Sequence, residues 1–303
     1  MLEIYLFTHN RPVQAMEAIQ SILAQTDRRF RLVVSDNSDT DALRDLLGDC
    51  PDLVYIKRAA VLSGIEHGNL GLSEISGEYF TLFHDDDLML PNYVASFWKA
   101  QALFPQAIAF GTNAQVELHK VFTGLSFKSA CPYVGPISPD SLLRRYFSHH
   151  QLGIAPLPSY IYKREALQDL RFDPSGGKYA DVQWLSRWAT KGPVMWIAEP
   201  MMVYRIHEGN DGNVESRYDR LRFLAFLKGP ANVFSSEILS DYRNFLYKKL
   251  LPSLSGDGHR HTYRTLSQFI TAHRYQRLCR LSFYQALINK VATRFFIKFC
   301  KKV

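Results

Sequence analysis

The sequence lacks the features that mark several common classes of protein. Its 303 residues contain only four cysteines, which are far apart in the chain: Cys50, Cys131, Cys279 and Cys300. No two of them form a C-x-x-C pair, which argues against a zinc site or a disulfide framework and is typical of a reducing compartment. No apolar run reaches the roughly 20 residues of a membrane-spanning helix. The first residues lack the basic stretch of a secretory signal peptide, and we therefore expect an intracellular protein.

Glycine-rich phosphate loops are absent as well. Neither G-x-x-x-x-G-K-[ST] nor G-x-G-x-x-G occurs, and the segment 67–71 (HGNLG) is too short for either. This absence argues against a P-loop nucleotide hydrolase and against a dinucleotide-dependent oxidoreductase. If the protein binds phosphates, we expect a metal ion rather than a backbone loop to neutralise them.

Charge is distributed unevenly along a chain whose composition is otherwise that of a globular protein. Hydrophobic residues make up 47% of the sequence and the formal net charge is +7, which argues against disorder. Residues 259–303 hold ten lysines and arginines and no acid, so the preceding 258 residues carry a net charge of −3. A basic tail favours an anionic partner, either a membrane surface or a nucleic acid.

The last twenty residues, Tyr284–Val303, combine a basic stripe at steps of about four with an opposing face of Leu, Ile, Val and Phe. This pattern predicts a helix that lies in an anionic membrane interface. The alternative is a helix that packs its apolar face on the rest of the protein.

Strand and helix patterns alternate over the first hundred residues. Apolar runs at 2–7, 30–35, 53–57 and 78–83 favour strands, and the segments 12–25, 41–47 and 91–104 favour helices. The alternation predicts an α/β fold with a mostly parallel sheet and helices on both faces. The middle of the chain is less regular, with a helix at 182–190 and a strand at 194–197. Strand patterns stop near residue 215, so we expect a catalytic domain over 1–215 and a helical, basic region over 216–303.

Three strand ends are polar in a coordinated way. Thr8-His9-Asn10-Arg11 follows the first strand, Asp36-Asn37-Ser38 follows the second, and Asp85-Asp86-Asp87 follows the fourth. Ligands of open α/β sheets bind at the carboxyl ends of the strands, where such segments meet. The sequence therefore predicts one binding site at this edge of the sheet.

The acidic triplet is the most informative of these segments. Adjacent carboxylates repel one another, and a hard divalent cation such as Mg²⁺ or Mn²⁺ relieves that repulsion with oxygen ligands. Such a cation usually keeps open positions that substrate phosphates fill. The alternatives are a solvated acidic loop and a cap for the helix that follows Pro91.

Together these motifs resemble those of family 2 glycosyltransferases, which have the GT-A fold, of the bacterial cell-surface polysaccharide type. The matching segments occur in family order and cover roughly residues 1–213: Thr8-x-Asn10-Arg11-Pro12, Asp36-Asn37-Ser38, Asn69-x-Gly71, Gly77-Glu78-Tyr79-Phe80 before the acidic triplet, Tyr179-Ala180-Asp181, and Tyr204-Arg205-Ile206-His207-Glu208-Gly209-Asn210. In one departure, His84 stands where many relatives carry the first Asp of a D-x-D motif.

The resemblance implies an inverting transfer of a sugar from a nucleotide-sugar donor, UDP by family frequency, with Mn²⁺ or Mg²⁺ as cofactor. The implied metal ligands are Asp86, Asp87 and His207, although His207 can equally bond the leaving diphosphate or simply pack. The implied nucleotide-binding residues are Thr8, Asn10, Arg11, Asp36, Asn37, Ser38, Asn69 and Asp85, with Asp36 at the base and Asp85 near the ribose and diphosphate.

Inversion also requires a base that deprotonates the acceptor hydroxyl, and the resemblance points to Asp181. Asp181 immediately precedes a predicted helix, where the helix dipole favours the ionised carboxylate. The acidic residue that precedes this Asp in the family is Ala180 here. The alternative is that Asp181 serves only as an N-cap.

These expectations lead to an enzyme that extends a glycan or lipid-linked glycan, as in O-antigen or capsule synthesis. It would be cytoplasmic or peripheral on the inner face of the membrane and would have no nucleic-acid partner. Two alternatives stay open. A sugar-phosphate nucleotidyltransferase would normally carry a glycine-rich loop with a lysine, and a nucleic-acid-binding protein would use the basic tail.

Overall fold

The computed structural model describes residues 1–59, 62–147, 153–208, 210, 217–229, 234–235, 237–239 and 241–242. The chain divides into two compact units. The first comprises residues 1–146 and 150–214, and the second comprises residues 147–149 and 215–303. The membrane helix predicted at Tyr284–Val303 lies outside the described residues.

The first unit is built on a ten-stranded mixed sheet. The strands are β1 Leu2–Thr8, β2 Phe30–Asp36, β3 Leu53–Lys57, β4 Tyr79–His84, β5 Leu88–Met89, β6 Ala109–Leu118, β7 Val121–Leu125, β8 Tyr133–Val134, β9 Ile161–Lys163 and β10 Val194–Ile206. They run in the order β3-β2-β1-β4-β9-β6-β10-β5, with β7 beside β6 and β8 beside β10. The pairs β1–β2, β1–β4, β2–β3 and β6–β10 are parallel, and the antiparallel pairings are short. The predicted fold class is confirmed.

Seven helices are described: α1 Pro12–Leu23, α2 Ala42–Leu47, α3 Gly64–Glu74, α4 Tyr93–Leu103, α5 Pro139–Phe147, α6 Ala180–Lys191 and α7 Arg217–Lys228. Pro12 begins α1, where its missing N–H costs nothing. The start of α3 is fixed by a capping box, in which Ser63 and Glu66 bond each other's backbone N–H groups. Within the described residues, none of the helices is long and apolar enough to cross a bilayer.

Alternation along β1 divides the core into two layers. Leu2, Ile4 and Leu6 pack into the layer that contains α1, α2 and α4, whereas Tyr5 faces the layer that contains α3 and α6. Helices therefore cover both faces, as predicted for a buried parallel sheet. A Cβ on Gly71 of α3 would lie 2.6 Å from the ring of Phe7, so only glycine lets α3 lie this close to β1.

The middle of the chain contributes more of the sheet than its sequence pattern predicts. Strand β10 runs for 13 residues, and its pairing with β6 shifts register around Pro200. The extension carries Arg205 to the same edge of the sheet as the ends of β1, β2 and β4, because β10 runs parallel to β6 and, through the antiparallel β9, parallel to β4. This edge holds the candidate site.

Candidate active site

The acidic triplet Asp85–Asp87 is buried at the end of β4. The three residues are 5%, 7% and 1% exposed, so the alternative of a solvated acidic loop is wrong. The triplet does not cap the next helix either, because the N-cap of α4 is Asn92 and the side chain that bonds this end is Gln25, whose Oε1 accepts from the Val94 N–H. Three carboxylates are thus withdrawn from water at one point, an arrangement that needs compensating positive charge.

The compensation within the described chain is uneven. Asp86 Oδ2 lies 3.0 Å from Arg11 Nη1, 3.1 Å from Asn210 Nδ2 and 3.3 Å from His207 Nε2. Asp87 Oδ1 accepts a hydrogen bond of 3.0 Å from the Arg205 backbone N–H, whereas its Oδ2 is buried and has no hydrogen-bond partner among the described residues. One carboxylate oxygen is therefore available to a cation.

The pKa values of Asp85 and Asp87 reflect this incomplete compensation of charge. Burial raises the pKa of Asp87 well above its ordinary value, and the charge of Asp86 raises it further. Burial also raises the pKa of Asp85, although the nearby Arg11 guanidinium opposes that shift. The protein by itself holds these carboxylates in an unfavourable state, which a bound divalent cation would relieve.

A group of three side chains here has the chemistry of a divalent metal site. His84, Asp86 and Asp87 each offer one ligand atom, and these atoms all lie within 4.8 Å of one another. Imidazole nitrogen and carboxylate oxygen together suit a divalent ion such as Mn²⁺. The unpaired Oδ2 of Asp87 shows that the group retains unused capacity for a ligand, so the residues fit the ion.

The loop after β1 reaches the triplet through Arg11 and His9. Arg11 Nη1 lies 3.2 Å from Asp85 Oδ1, and Asp85 Oδ2 accepts a hydrogen bond of 3.3 Å from the His9 backbone N–H. Asn10 has a left-handed backbone conformation (φ 54°) and exchanges side-chain bonds with Asp39 at 2.8 and 2.9 Å. Thr8 is 3% exposed at the end of the strand. These residues join the ends of β1, β2 and β4 into one surface.

The segment Asp36–Ser38 after β2 is mostly engaged within the protein. Asp36 is fully buried, with Oδ1 accepting from the Ser38 N–H at 2.8 Å and Oδ2 accepting from the Tyr55 hydroxyl at 2.5 Å. Burial alone would raise the pKa of Asp36, but bonds from Ser38 and Tyr55 outweigh it and the pKa is lowered. Ser38 Oγ accepts from the Asn10 N–H at 2.7 Å. A base bound at Asp36 would share a carboxylate oxygen with one of these bonds.

Asn37 differs from its neighbour. It is 2% exposed, and its Nδ2 donates to the Leu62 carbonyl at 2.8 Å. Its Oδ1 is buried and has no hydrogen-bond partner in the part of the chain that the structure describes. Asn37 therefore offers a ligand an acceptor that no described residue uses, whereas both oxygens of Asp36 already accept hydrogen bonds.

Asn69 lies apart from this group. Its amide Nδ2 donates to the Phe172 carbonyl at 2.9 Å, and its Oδ1 accepts from the Phe172 N–H at 2.8 Å. Both ends of the amide are thus used to tie α3 to the chain that leads into α6. Nucleotide contact by Asn69 stays a prediction, and the structure gives the residue a clear positioning task.

The proposed base, Asp181, lies in the first turn of α6. The N-cap of that helix is Tyr179, so the alternative of Asp181 as N-cap is wrong. Burial raises the pKa of Asp181, whereas the bond from the Val182 N–H and the charge of His84 oppose the shift. Asp181 is therefore close enough to His84 to interact electrostatically with the metal-binding group.

The segment after β10 completes the site. Arg205 donates to the Asp86 carbonyl and pairs with Glu17 on α1, and Asn210 bonds the backbone N–H of His207. Together these bonds place His207 and Asn210 against Asp86, as noted above. Asp86 is thus held by residues more than a hundred positions away in the chain.

Sequence reasoning gave no ligand role to His84, no role to Asn210 and none to Tyr55. His84 carried a signal, because it occupies the position of an expected acid directly before the triplet. Asn210 closed a quoted motif but had no assigned contact. Tyr55 gave no signal, because its hydroxyl meets Asp36 only through the pairing of β2 with β3.

Comparisons with known proteins show the family to which this chain belongs. Residues 4–170, more than half of the chain, match the family model for glycosyl transferase family 2. The chain is 25% identical over 214 residues to the GalNAc(5)-diNAcBac-PP-undecaprenol beta-1,3-glucosyltransferase of Campylobacter jejuni, a match that covers 68% of this chain and 64% of that protein. The chain spans less than two thirds of the length of the curated relatives it matches.

Two solved structures share the fold. TarS 1–349 of S. aureus, in complex with UDP-GlcNAc, superposes with a TM-score of 0.68 at 15% identity over 96% of this chain and 88% of that one. The mannosyltransferase PcManGT of Pyrobaculum calidifontis, in complex with GDP-Man and Mn²⁺, superposes with a TM-score of 0.51 at 17% identity over 98% of this chain and 87% of that one.

Proposed function

We propose what this chain does from the premise that it belongs to glycosyl transferase family 2. It transfers a sugar from a nucleoside-diphosphate donor, with uracil as the base, to a hydroxyl group of a glycan or lipid-linked glycan, and it inverts the anomeric centre. The observation that carries the proposal is the buried acidic triplet, whose Asp87 keeps an unpaired oxygen beside His84 and Asp86.

The donor chemistry follows from the residues around the triplet. Asp86 and Asp87 would hold the divalent ion, Mn²⁺ or Mg²⁺, which supplies positive charge to the diphosphate of the donor. Arg11 would contribute a second positive charge on the same side of the triplet. Asn37 Oδ1 would accept the N3–H of uracil, because it is a buried acceptor whose capacity is unused. TarS was solved with UDP-GlcNAc and PcManGT with Mn²⁺, which supports a uridine-diphosphate donor and a divalent ion here by analogy.

The acceptor chemistry falls to Asp181. Its carboxylate would take the proton of the acceptor hydroxyl as the oxygen attacks the anomeric carbon and the nucleoside diphosphate leaves. Burial raises the pKa of this carboxyl group toward the pH at which a base works best. The C. jejuni relative is named for an undecaprenol-linked substrate, which supports a lipid-linked acceptor here.

We also place the protein at the inner face of a membrane. Ten basic residues without an acid in 259–303 favour attraction to anionic lipid, and a lipid-linked acceptor would be found on the same surface. This placement rests on the sequence, because the segment lies outside the described residues.

Nucleotide binding tests the proposal. Calorimetry should show UDP binding that requires Mn²⁺ or Mg²⁺, and Asp86→Ala should weaken it by at least about 100-fold. The matched control is Asp52→Ala, an exposed acid before β3, which should bind UDP normally. A melting curve for each variant separates loss of binding from loss of fold.

Three results would contradict the proposal. Normal metal-dependent binding by Asp86→Ala would remove the metal assignment. Release of pyrophosphate from a nucleoside triphosphate and a sugar phosphate would indicate a nucleotidyltransferase. Tight binding of single-stranded DNA without binding of UDP would indicate a nucleic-acid partner for the basic tail.

A further inference from the structure

The residue at the end of β4 changes the chemistry of the metal site. His84 is half-buried and directly precedes the acidic triplet. Its ring offers a ligand atom within 4.8 Å of ligand atoms from Asp86 and Asp87. The third acid, Asp85, is not part of this group. Its carboxylate bonds Arg11 and the His9 N–H instead.

The remaining capacity of the group is specific. Asp86 Oδ2 already has Arg11, Asn210 and His207 around it, and Asp87 Oδ1 has the Arg205 N–H. Asp87 Oδ2 has no hydrogen-bond partner among the described residues, although Asp87 is 1% exposed. A buried carboxylate oxygen with unused capacity, next to an imidazole, points to a ligand that both can bind.

We infer that His84 is a metal ligand and that it makes the site select Mn²⁺ or Co²⁺ over Mg²⁺. This inference rests on the proposed function, because it concerns the ion that binds with the nucleotide. Mg²⁺ prefers an all-oxygen octahedral shell and loses its water reluctantly. Mn²⁺ and Co²⁺ accept an imidazole nitrogen more readily than Mg²⁺ does, so a nitrogen ligand in place of an oxygen ligand shifts the preference toward them.

His207 is the competing nitrogen donor. Its Nε2 lies 3.3 Å from Asp86 Oδ2, and it is not part of the group formed by His84, Asp86 and Asp87. We place His207 as a positioning residue that holds Asp86, and His84 as the residue that binds the ion. A second competing role for His84 is that of a counter-charge to Asp181 without metal contact, since its charge lowers the pKa of that carboxyl group.

The experiment uses the full chain with Mn²⁺ as the probe, in the presence of UDP. Pulsed electron paramagnetic resonance should detect the ¹⁴N coupling of a directly bound imidazole in the unmodified protein. The coupling should disappear in His84→Asp and in His84→Gln, and persist in His207→Gln. The matched control is His119→Gln, an exposed histidine in the turn between β6 and β7.

Selectivity gives a second readout. Calorimetry with UDP should show that His84→Asp still binds both ions, with the ratio of the Mg²⁺ to the Mn²⁺ dissociation constant lowered by about tenfold. His119→Gln should leave that ratio unchanged. If a variant does not fold, the ¹⁴N coupling of the unmodified protein still decides whether a histidine binds the ion, and His207→Gln decides which one.

Three outcomes overturn the inference. Mn²⁺ binding without ¹⁴N coupling rejects a histidine ligand and leaves the proposed function intact. A coupling that disappears only in His207→Gln transfers the role to His207. Failure of the unmodified protein to bind Mn²⁺ with UDP rejects both the inference and the proposed function. Binding of Mn²⁺ without ¹⁴N coupling rejects the inference alone, so the two failures are distinguishable.

Discussion

Two buried carboxylates at the same edge of the sheet have opposite environments. Asp36 ends β2 and Asp87 follows β4, and they are 0% and 1% exposed. Asp36 accepts hydrogen bonds from Ser38 and Tyr55, with Lys57 Nζ 3.4 Å away, and its pKa is lowered. Asp87 has one bond, from the Arg205 N–H, and its pKa is raised well above its usual range.

The difference separates an acid whose two oxygens both accept hydrogen bonds within the protein from an acid that keeps one oxygen unpaired among the described residues. Every oxygen of Asp36 is used, so Asp36 stabilises the loop that follows β2. Asp87 keeps a buried oxygen unpaired among the described residues and is repelled by Asp86, so added positive charge would stabilise its ionised form. Both residues lie at the end of a strand, and they differ in the hydrogen bonds that their carboxylates accept.

The largest expected effect concerns Asp181. Like Asp87, it is a carboxyl group whose pKa is raised by burial. Asp181→Asn should lower transfer by about 10²- to 10⁴-fold, the range of general-base catalysis, while UDP-sugar affinity stays within the error of the measurement. Release of UDP under saturating donor and acceptor measures the first quantity, and calorimetry with UDP measures the second.

Transfer by the unmodified enzyme should also rise with pH up to the raised pKa of Asp181, since only the ionised carboxylate can accept the proton. A variant that loses donor affinity but turns over its bound donor at the normal rate would make Asp181 structural.

The next effect concerns the fully hydrogen-bonded end of β2. It tests the buried His67, which contacts Ser35, the residue before Asp36. Burial lowers the pKa of His67 to about 4, and its Nε2 lies 2.8 Å from Ser35 Oγ, which in turn accepts from Arg58 at 3.0 Å. His67 takes up a proton near pH 6.5 in the unfolded chain and only near pH 4 in the folded protein. Stability should therefore fall by about 3 kcal/mol as pH falls from 6.5 to 4.

Urea unfolding of the unmodified protein and of His67→Gln across that pH range isolates this contribution. Gln cannot take up a proton, so its stability should depend less steeply on pH. Parallel curves for the two proteins would mean that His67 is not held neutral by the fold.

A smaller effect compares the two acids directly in the metal-free protein. Asp36→Asn should lower the free energy of unfolding by about 2 kcal/mol, because one of the bonds to Ser38 and Tyr55 loses its acceptor. Asp87→Asn keeps an acceptor for the Arg205 N–H and removes a buried charge, so it should leave stability unchanged or raise it. Melting in the presence of a chelator measures both variants, and equal losses would contradict the distinction between the two sites.

The smallest effect should come from the tail. Deletion of Tyr284–Val303 should leave transfer to a short soluble acceptor nearly unchanged, because all proposed site residues precede residue 213. The same deletion should release the protein from anionic vesicles, and the full chain should bind them more weakly as salt screens the attraction over about 8 Å. Sedimentation with vesicles measures this. A full chain that stays in the supernatant at low salt contradicts membrane binding, and an insoluble truncated protein indicates that the segment packs on the rest of the chain.

Local patterns predicted much of the first half of the fold. The apolar runs that became β1, β2, β3 and β4 are short and bounded by polar residues, and Pro12 indicated where α1 begins. Helix α3 carried a usable signal, the capping box of Ser63 and Glu66, within an otherwise polar and glycine-containing segment. Strand β10 was predicted to end at Ile197, whereas its pairing with β6 resumes beyond a register shift around Pro200.

The sequence by itself determined the class of the sheet and the placement of polar segments at one edge, because alternation and apolar runs are local properties of the chain. Only the tertiary structure decided what each polar residue does there. Asp36 is satisfied because β3 brings Tyr55 beside it, and Asp87 is left with one bond because β10 supplies a single N–H from 118 positions away. Burial and hydrogen bonding depend on such distant neighbours, so the same residue type at the same kind of strand end has both oxygens bonded in one place and keeps a buried oxygen unpaired among the described residues in the other.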